Sequence, residues 1–121
     1  MYLKKLSLIN FKNIREENLE FRPGINCFVG DNGAGKTNVI DAVYFLSMCK
    51  SSLAMTDGQS MRHGSDFFLL DGQYLTDGGR SESVVCAFAR KGGKTLKRNG
   101  KEYERLSDHV GLIPVVIVSP A

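Results

Sequence analysis

The sequence predicts an α/β fold in which a strand, a glycine-rich loop and a helix precede an antiparallel, strand-rich segment. Three observations support this prediction. Ile25 to Val29 has apolar residues on both faces of an extended chain, which is typical of a strand buried from both sides. The loop Gly30 to Thr37 contains three glycines. Lys36 to Lys50 then places apolar residues at helical spacing.

The segment before this unit is predicted to be extended. Tyr2 to Phe11 alternates in the manner of a strand. Asn10 to Arg15 is a polar turn, and Asn18 to Phe21 is a short second strand. The turn Arg22 to Gly24, which contains proline, closes that strand.

The second half changes character. Small polar residues fill Ser51 to Gly64, with a short helix predicted at Asp57 to His63. Asn99-Gly100 is a strong two-residue hairpin signal. The predicted elements around it are the strands Phe67 to Leu75, Ser83 to Arg90, Thr95 to Arg98 and Lys101 to Glu104, the turn Lys91 to Lys94, a short helix or turn at Leu106 to Gly111, and a final apolar strand at Leu112 to Val118.

These elements divide the chain into two segments. Residues 1–50 hold the first strands, the glycine-rich loop and its helix, and residues 51–121 hold the strand-rich remainder. The sequence stops directly after a strand that a complete domain would cover. We therefore expect a fragment of a larger domain.

Composition narrows the class of protein. The 121 residues are 42% hydrophobic and 24% charged, which excludes disordered, collagen-like and coiled-coil chains. No apolar run approaches the roughly 20 residues that span a bilayer, and no signal peptide is evident. Three widely spaced cysteines, Cys27, Cys49 and Cys86, predict core packing rather than zinc ligation or disulfides. We expect a soluble, cytoplasmic protein with no membrane contact.

The loop carries the chemistry. Its residues match the pattern G-x-x-x-x-G-K-[ST] in full: Gly30, Asp31, Asn32, Gly33, Ala34, Gly35, Lys36 and Thr37. Glycines let the backbone N–H groups form a nest for phosphates, and the helix adds its positive end. Lys36 is predicted to neutralise the β- and γ-phosphates, and the Thr37 hydroxyl to ligate Mg²⁺. The loop therefore predicts binding of a nucleoside triphosphate, ATP, with Mg²⁺.

Hydrolysis would need a further carboxylate at the end of another apolar strand. Asp71 is the formal candidate, but Gly72 and more strand follow it. We interpret Asp71 as a turn or bulge residue and expect this chain to lack the hydrolytic carboxylate.

Several motifs resemble a known family. L-x-L-x-N-F-K-N, G-D-N-G-A-G-K-T-N and V-I-D-A-V-Y-F-L-S resemble the ABC-type ATPases of DNA maintenance, which include the structural-maintenance-of-chromosomes (SMC) proteins. K-R-N-G-K-E-Y-E-R-L-S-D-H-V-G, followed by P-V-V-I-V-S-P, is similar to the RecF family of bacterial gap-repair proteins. The resemblance implies the nucleotide lobe of an ABC-type ATPase head with an added antiparallel subdomain.

The resemblance also implies a function. It implies recombinational gap repair, replication restart and the SOS response, ATP-dependent homodimerisation, binding to single-strand/double-strand DNA junctions, and RecO and RecR as partner proteins. Lys12 and Asn13 are implied to touch the nucleotide. The family's signature motif and acidic Mg²⁺ strand are absent here, so the resemblance implies nucleotide binding without hydrolysis by this chain, and slow ATP hydrolysis by the full-length protein.

Other residues carry weaker signals. Seven basic residues between Arg90 and Arg105 oppose only Glu102 and Glu104, which fits either DNA phosphate binding or a solvated edge hairpin. Tyr103 is the aromatic residue on this hairpin that we would test for nucleic-acid contact. His63 and His109 are expected in surface or capping roles.

Three alternatives stay open. One is the head of another SMC-like protein or of an overcoming-lysogenisation-defect-type nuclease. A second, of a different class, is a P-loop kinase of a small metabolite. A third is a DNA-binding module with a vestigial loop.

Overall fold

The structure is a computed structural model that describes residues 2–21, 33–51, 53 and 55–109, with 33–36 and 107 described by their backbone alone. The elements are β1 (Tyr2–Phe11), β2 (Ile14–Glu20), α1 (Gly33–Met48), α2 (Asp57–Ser60), β3 (Phe67–Leu75), β4 (Ser81–Ala89), β5 (Gly93–Arg98), β6 (Lys101–Glu102) and a 3₁₀ turn, Leu106–Asp108. Among these residues, no helix is long and apolar enough to cross a membrane.

The strands of the described residues form one antiparallel sheet in the order β2-β1-β3-β4-β5-β6. The link between the two halves of the chain is the pairing of β1 with β3, which sets Leu8 opposite Leu70. Strands from both predicted segments therefore belong to the same sheet.

One face of the sheet packs on α1. Because directly paired residues share a face, the register aligns Leu8, Leu70, Cys86 and Leu96 in a row across four strands. All four are fully buried. The helix contributes Val39, Ala42, Val43, Phe45 and Leu46. This layer fixes the direction in which α1 leaves the phosphate-loop motif.

Three phenylalanines hold the centre of the layer. Phe11, Phe45 and Phe68 are fully buried and meet edge to face, with ring centroids 5.4–6.1 Å apart. Such contacts stabilise by about 0.5–1.5 kcal/mol per pair beyond area burial. They join β1, α1 and β3 at one point.

The predicted elements are present with shifted ends. β2 begins at Ile14 rather than Asn18, because the turn before it consists of Lys12 and Asn13 alone. The chain reverses sharply there, with positive φ angles at Asn10 and Lys12. The helix spans Gly33–Met48 rather than 36–50, and α2 ends at Ser60. The predicted strands 25–29 and 112–118 lie outside the described residues.

The interpretation of Asp71 as a turn or bulge residue is wrong. Asp71 pairs with Ser7 and Val85 in the middle of β3. Its neighbour Gly72 sits under α1: a Cβ there would lie 2.7 Å from Leu46 Cδ1. The Asp-Gly pair marks a close helix–sheet approach and not a turn.

Candidate functional site

The phosphate-loop motif runs into the first turn of α1. The helix begins at Gly33, so the second half of the motif is helical and its N–H groups lie at the helix amino terminus. Thr37 is exposed there. Of the remaining motif residues, Gly30, Asp31 and Asn32 lie outside the described residues, and Gly33, Ala34, Gly35 and Lys36 are described by backbone alone.

The turn between β1 and β2 packs against the start of α1. Asn38 Nδ2 donates to Asn13 Oδ1 at 2.6 Å, one residue after Thr37. Lys12 Nζ lies 2.5 Å from Asp41 Oδ2, one turn further along the helix. The structure thus brings Lys12 and Asn13 beside the phosphate-loop helix, as two of the sequence-predicted site residues.

The Lys12–Asp41 pair is almost fully removed from solvent. The side chains are 6% and 1% exposed, and Ser51 Oγ also donates to Asp41 Oδ2 at 2.6 Å. The backbone of Lys12 is held too, since its N–H donates to the Ser60 carbonyl at 2.6 Å. Buried ion pairs need such extra hydrogen bonds to offset the loss of hydration. The pair therefore fixes where the helix starts relative to the sheet.

Asp41 was not predicted as part of the site. The available signal was a carboxylate on the apolar stripe of an amphipathic helix, four residues after Thr37. A buried acid in that position requires a partner. Nothing in the sequence pointed to Lys12 as that partner, because 29 residues separate the two.

An open groove of about 630 Å³ lies beside this ion pair. Lys12, Asn13, Gln59, Met61, Arg62 and His63 line it. Its size lies within the range of small-molecule sites, about 300–1,000 Å³. The side chains around it are mostly polar, and Arg62 brings positive charge to its wall, whereas the Lys12 ammonium is buried against Asp41.

The other end of α1 is held by the strand-rich half. Lys94 Nζ donates to the Cys49 carbonyl at 2.6 Å and lies 3.1 Å from Asp57 Oδ2. His109 Nε2 lies 2.8 Å from the Leu46 carbonyl. Carbonyls in the last turn of a helix lack intrahelical donors, so both contacts satisfy groups that the helix cannot.

Of the surface or capping role expected for His109, the surface part is wrong, because the residue is fully buried, and the capping part is confirmed by its bond to the Leu46 carbonyl. Its Nδ1 lies 3.2 Å from the Tyr103 hydroxyl. Because a carbonyl only accepts, Nε2 carries the proton toward Leu46, and Nδ1 accepts from Tyr103. Burial lowers the pKa of His109; the bond to Leu46 opposes this shift, and the nearby charge of Arg98 adds to it.

Tyr103 is not a free aromatic platform. It is half-buried, packs against the core and meets the His109 ring at 5.1 Å. A side-chain hydrogen bond with Tyr103 also raises the pKa of Arg98. The aromatic residue that we would test for nucleic-acid contact is therefore hydrogen-bonded to His109.

The basic hairpin divides into two groups. Lys94 and Arg98 are turned toward the core face and paired, Arg98 with Glu82 at 2.6 Å. The others are exposed: Arg90, Lys91, Lys97, Lys101 and Arg105. The exposed cations follow the β5–β6 edge on both faces of the hairpin, because Lys97 is paired with Glu102 and Lys101 with Arg98.

The cysteines behave as predicted where they are described. Cys49 and Cys86 are buried free thiols, and burial raises the pKa of both, that of Cys86 to about 12. Cys27 lies outside the described residues. Within the described ranges, no group of three or more His, Cys, Asp or Glu side chains could hold a metal ion.

The fold identifies the class of protein. The SMC head domain from Thermotoga maritima superposes with a TM-score of 0.69 and 28% identity over 89% of this chain and 40% of that one. The AAA domain family model matches residues 5–113, and the chain belongs to that family. It is a mixed α/β piece of an SMC-type ATPase head with an antiparallel sheet.

Within this class the chain is similar to RecF proteins. The DNA replication and repair protein RecF of Phocaeicola vulgatus is 54% identical over 121 residues, which are all of this chain and 33% of that protein. The recombination mediator protein RecF of the RecFOR pathway, solved as RecF-ATPrS, has a TM-score of 0.88 and 28% identity over 98% of this chain and 32% of that one. The RecF-ATP structure has a TM-score of 0.79 and 27% identity over 86% of this chain and 28% of that one. The chain thus spans about a third of the curated relatives it matches.

Proposed function

We propose that this chain is the ATP-binding lobe of a RecF-like DNA repair ATPase that acts in recombinational gap repair, replication restart and the SOS response. One observation carries the proposal: α1 begins inside the phosphate-loop motif, at Gly33. Its amino-terminal N–H groups and dipole favour an anion at that end. The similarity to the RecF-ATP structure supports ATP as the ligand.

In this proposal each motif residue has a role. Backbone N–H groups from Gly30 to Gly35 surround the phosphates, and Lys36 neutralises them. Thr37, exposed near the amino terminus of α1, would hold Mg²⁺ through its hydroxyl. The ion would supply positive charge against the phosphates. The groove beside the helix supports a nucleotide contact by Lys12 and Asn13.

The chain supplies part of a catalytic site. Residues 1–50 bring the first strands, the phosphate loop and its helix, and residues 51–121 the strand-rich remainder of the lobe. Asp71 lies in mid-strand, where its side chain accepts from Gln73 Nε2 at 2.7 Å. We therefore propose nucleotide binding without hydrolysis by this chain, and slow hydrolysis in an ATP-dependent homodimer of the complete gene product.

The proposed partners follow from the RecFOR pathway, to which the structurally similar RecF protein belongs. RecF in the RecFOR pathway supports RecO and RecR as partner proteins. DNA is the proposed polyanion, bound without sequence preference at single-strand/double-strand junctions. The exposed lysines of the β5–β6 hairpin support phosphate contacts, which carry most of such affinity. The proposed location is the cytoplasm.

The experiment that tests this function measures Mg-ATP binding and turnover by the 121-residue chain and by its Lys36→Ala variant. We expect binding without turnover in the wild type, and an affinity weaker by more than about tenfold, or 1.4 kcal/mol, in the variant. Lys50→Ala, which removes an exposed lysine just beyond α1, is the matched control. Equal ATP affinity in wild type and Lys36→Ala would contradict the proposal.

A further inference from the structure

The basic hairpin is joined to the carboxyl end of the phosphate-loop helix by two sets of side-chain contacts. The first is a relay: the Tyr103 hydroxyl bonds to His109 Nδ1, and His109 Nε2 bonds to the Leu46 carbonyl. The second is Lys94, whose ammonium group bonds the Cys49 carbonyl. Both start in β5 or directly after β6.

These contacts supplement the left-handed residue that caps the helix locally. α1 ends at Met48, and Cys49 adopts a left-handed φ of 61° without being glycine. No basic residue lies in the last turn of the helix itself. The cation that favours the negative helix end instead comes from β5, 45 residues along the chain. The hairpin therefore holds the helix end in place.

The register explains why the hairpin can serve two partners at once. Lys94, Leu96 and Arg98 alternate along β5 and share the face toward α1. Lys97, on the opposite face, is exposed, and Lys101 lies across the strand pair from Arg98. A polyanion on the exposed lysines would touch the same two strands that carry the helix contacts.

α1 connects the hairpin to the phosphate loop as one rigid element. It has 16 residues, which is about 24 Å at about 1.5 Å per residue. Its amino terminus lies in the phosphate-loop motif and its carboxyl end on Lys94 and His109. α1 is thus in contact with the hairpin at one end and continuous with the phosphate-loop motif at the other.

We propose that Lys94 and the Tyr103–His109 relay are positioning residues that couple nucleic-acid binding at the hairpin to nucleotide binding at the phosphate loop. The inference rests on the proposed function, since it needs both ligands. Coupling is reciprocal: DNA changes the affinity for ATP by the same factor as ATP changes the affinity for DNA.

The test measures this factor in the complete gene product. The Kd of Mg-ATP is determined with and without a saturating duplex that carries a single-stranded tail, and the Kd of the duplex with and without Mg-ATP. For the wild type we expect each Kd to change on addition of the other ligand by the usual factor for coupled sites, about 5–150-fold. We call this factor the ratio. Lys94→Met and Tyr103→Phe should bring the ratio to within about twofold of one, while the Kd of ATP without DNA changes by less than about threefold.

Two further variants separate coupling from general damage. Lys94→Arg keeps a cation that can reach the Cys49 carbonyl, and it should retain the wild-type ratio. Lys50→Met removes an equal charge from the exposed residue next to Cys49 and should also retain it. Tyr103→Phe keeps the ring against His109 and removes only the relay hydroxyl, so it should fold normally.

The outcomes distinguish this inference from the function on which it rests. A wild-type ratio of one, or an unchanged ratio in both Lys94→Met and Tyr103→Phe, overturns the coupling while ATP and DNA binding stand. Failure of Lys36→Ala to weaken ATP binding overturns the proposed function instead.

Discussion

The hydrogen bonds of the buried His109 side chain depend on its protonation state. Its neutral ring donates to the Leu46 carbonyl and accepts from Tyr103, so both ring nitrogens are used. A second proton on Nδ1 would face the Tyr103 hydroxyl and the charge of Arg98. Burial, the largest cause, lowers the pKa of this residue below the ordinary value of 6.5.

A pH dependence of stability follows from that shift. As pH falls below about 6.5, the unfolded chain takes up the proton before the folded one, so the free energy of unfolding decreases until pH passes the folded-state pKa. The contribution is complete above the unfolded pKa. Urea unfolding between pH 5 and 8 should show this decrease in wild type and not in His109→Gln. Parallel pH profiles of the two proteins would contradict it.

His109 also marks a limit of sequence reasoning at the scale of single residues. It follows the predicted hairpin with no motif around it, and its two partners are Tyr103 and a backbone carbonyl 63 residues away. Only the tertiary fold brings them together. Cys49 and Cys86, by contrast, were predicted correctly, because apolar neighbours suffice to predict burial of a thiol.

At the scale of elements, the packing of α1 on β3 depends on Gly72. A Cβ at this position would lie 2.7 Å from Leu46 Cδ1 and 3.0 Å from Tyr74 Cε1. The neighbouring strand residues Leu70 and Tyr74 are buried under the same helix. The glycine lets helix and sheet approach closely, which the sequence pattern alone presents as a turn.

Substitution of Gly72 by alanine should therefore destabilise the chain. Overpacking of this kind typically costs about 1–3 kcal/mol. Gly58→Ala is the matched control, because nothing lies within 4 Å of a Cβ built there. Urea denaturation of the two variants measures the difference. A Gly72→Ala protein as stable as Gly58→Ala would show that Leu46 moves aside at no cost.

Element types were easier to predict than their ends. The hairpin at Asn99-Gly100 is confirmed, with positive φ at both residues, because that turn chemistry is local. The strand 67–75 is also confirmed. β2 starts earlier than predicted. Its residues Arg15, Glu16 and Glu17 are charged, which suits a strand at the exposed edge of a sheet. The same charges hide the apolar–polar alternation by which a strand is predicted.

At the scale of the whole molecule, charge is distributed unevenly across the sheet. In the described residues, β2 forms one edge and exposes Glu16, Glu17 and Glu20. The β5–β6 edge carries the exposed cations. The formal net charge of +3 conceals this polarity. Arg15 on β2 and Lys4 and Lys5 on the adjoining β1 offset those carboxylates, so the hairpin is the edge with the more favourable charge for a polyanion such as the proposed DNA.

The exposed lysines of the hairpin are where we expect DNA to bind. Lys91→Ala, Lys97→Ala and Lys101→Ala, combined in the complete gene product, should weaken DNA binding equally for unrelated sequences, because lysines that bind phosphates carry no base readout. The slope of log K against log salt should become shallower by about 2–3, at about 0.7–0.9 for each phosphate that the protein no longer neutralises. Fluorescence anisotropy across a salt series measures both the affinity and the salt slope.

The control replaces Lys4, Lys5 and Arg15, which are exposed on β1 and β2, by alanine. It removes the same formal charge far from the hairpin, so a salt slope that changes as much in the control would mean that net charge, and not the hairpin surface, governs binding.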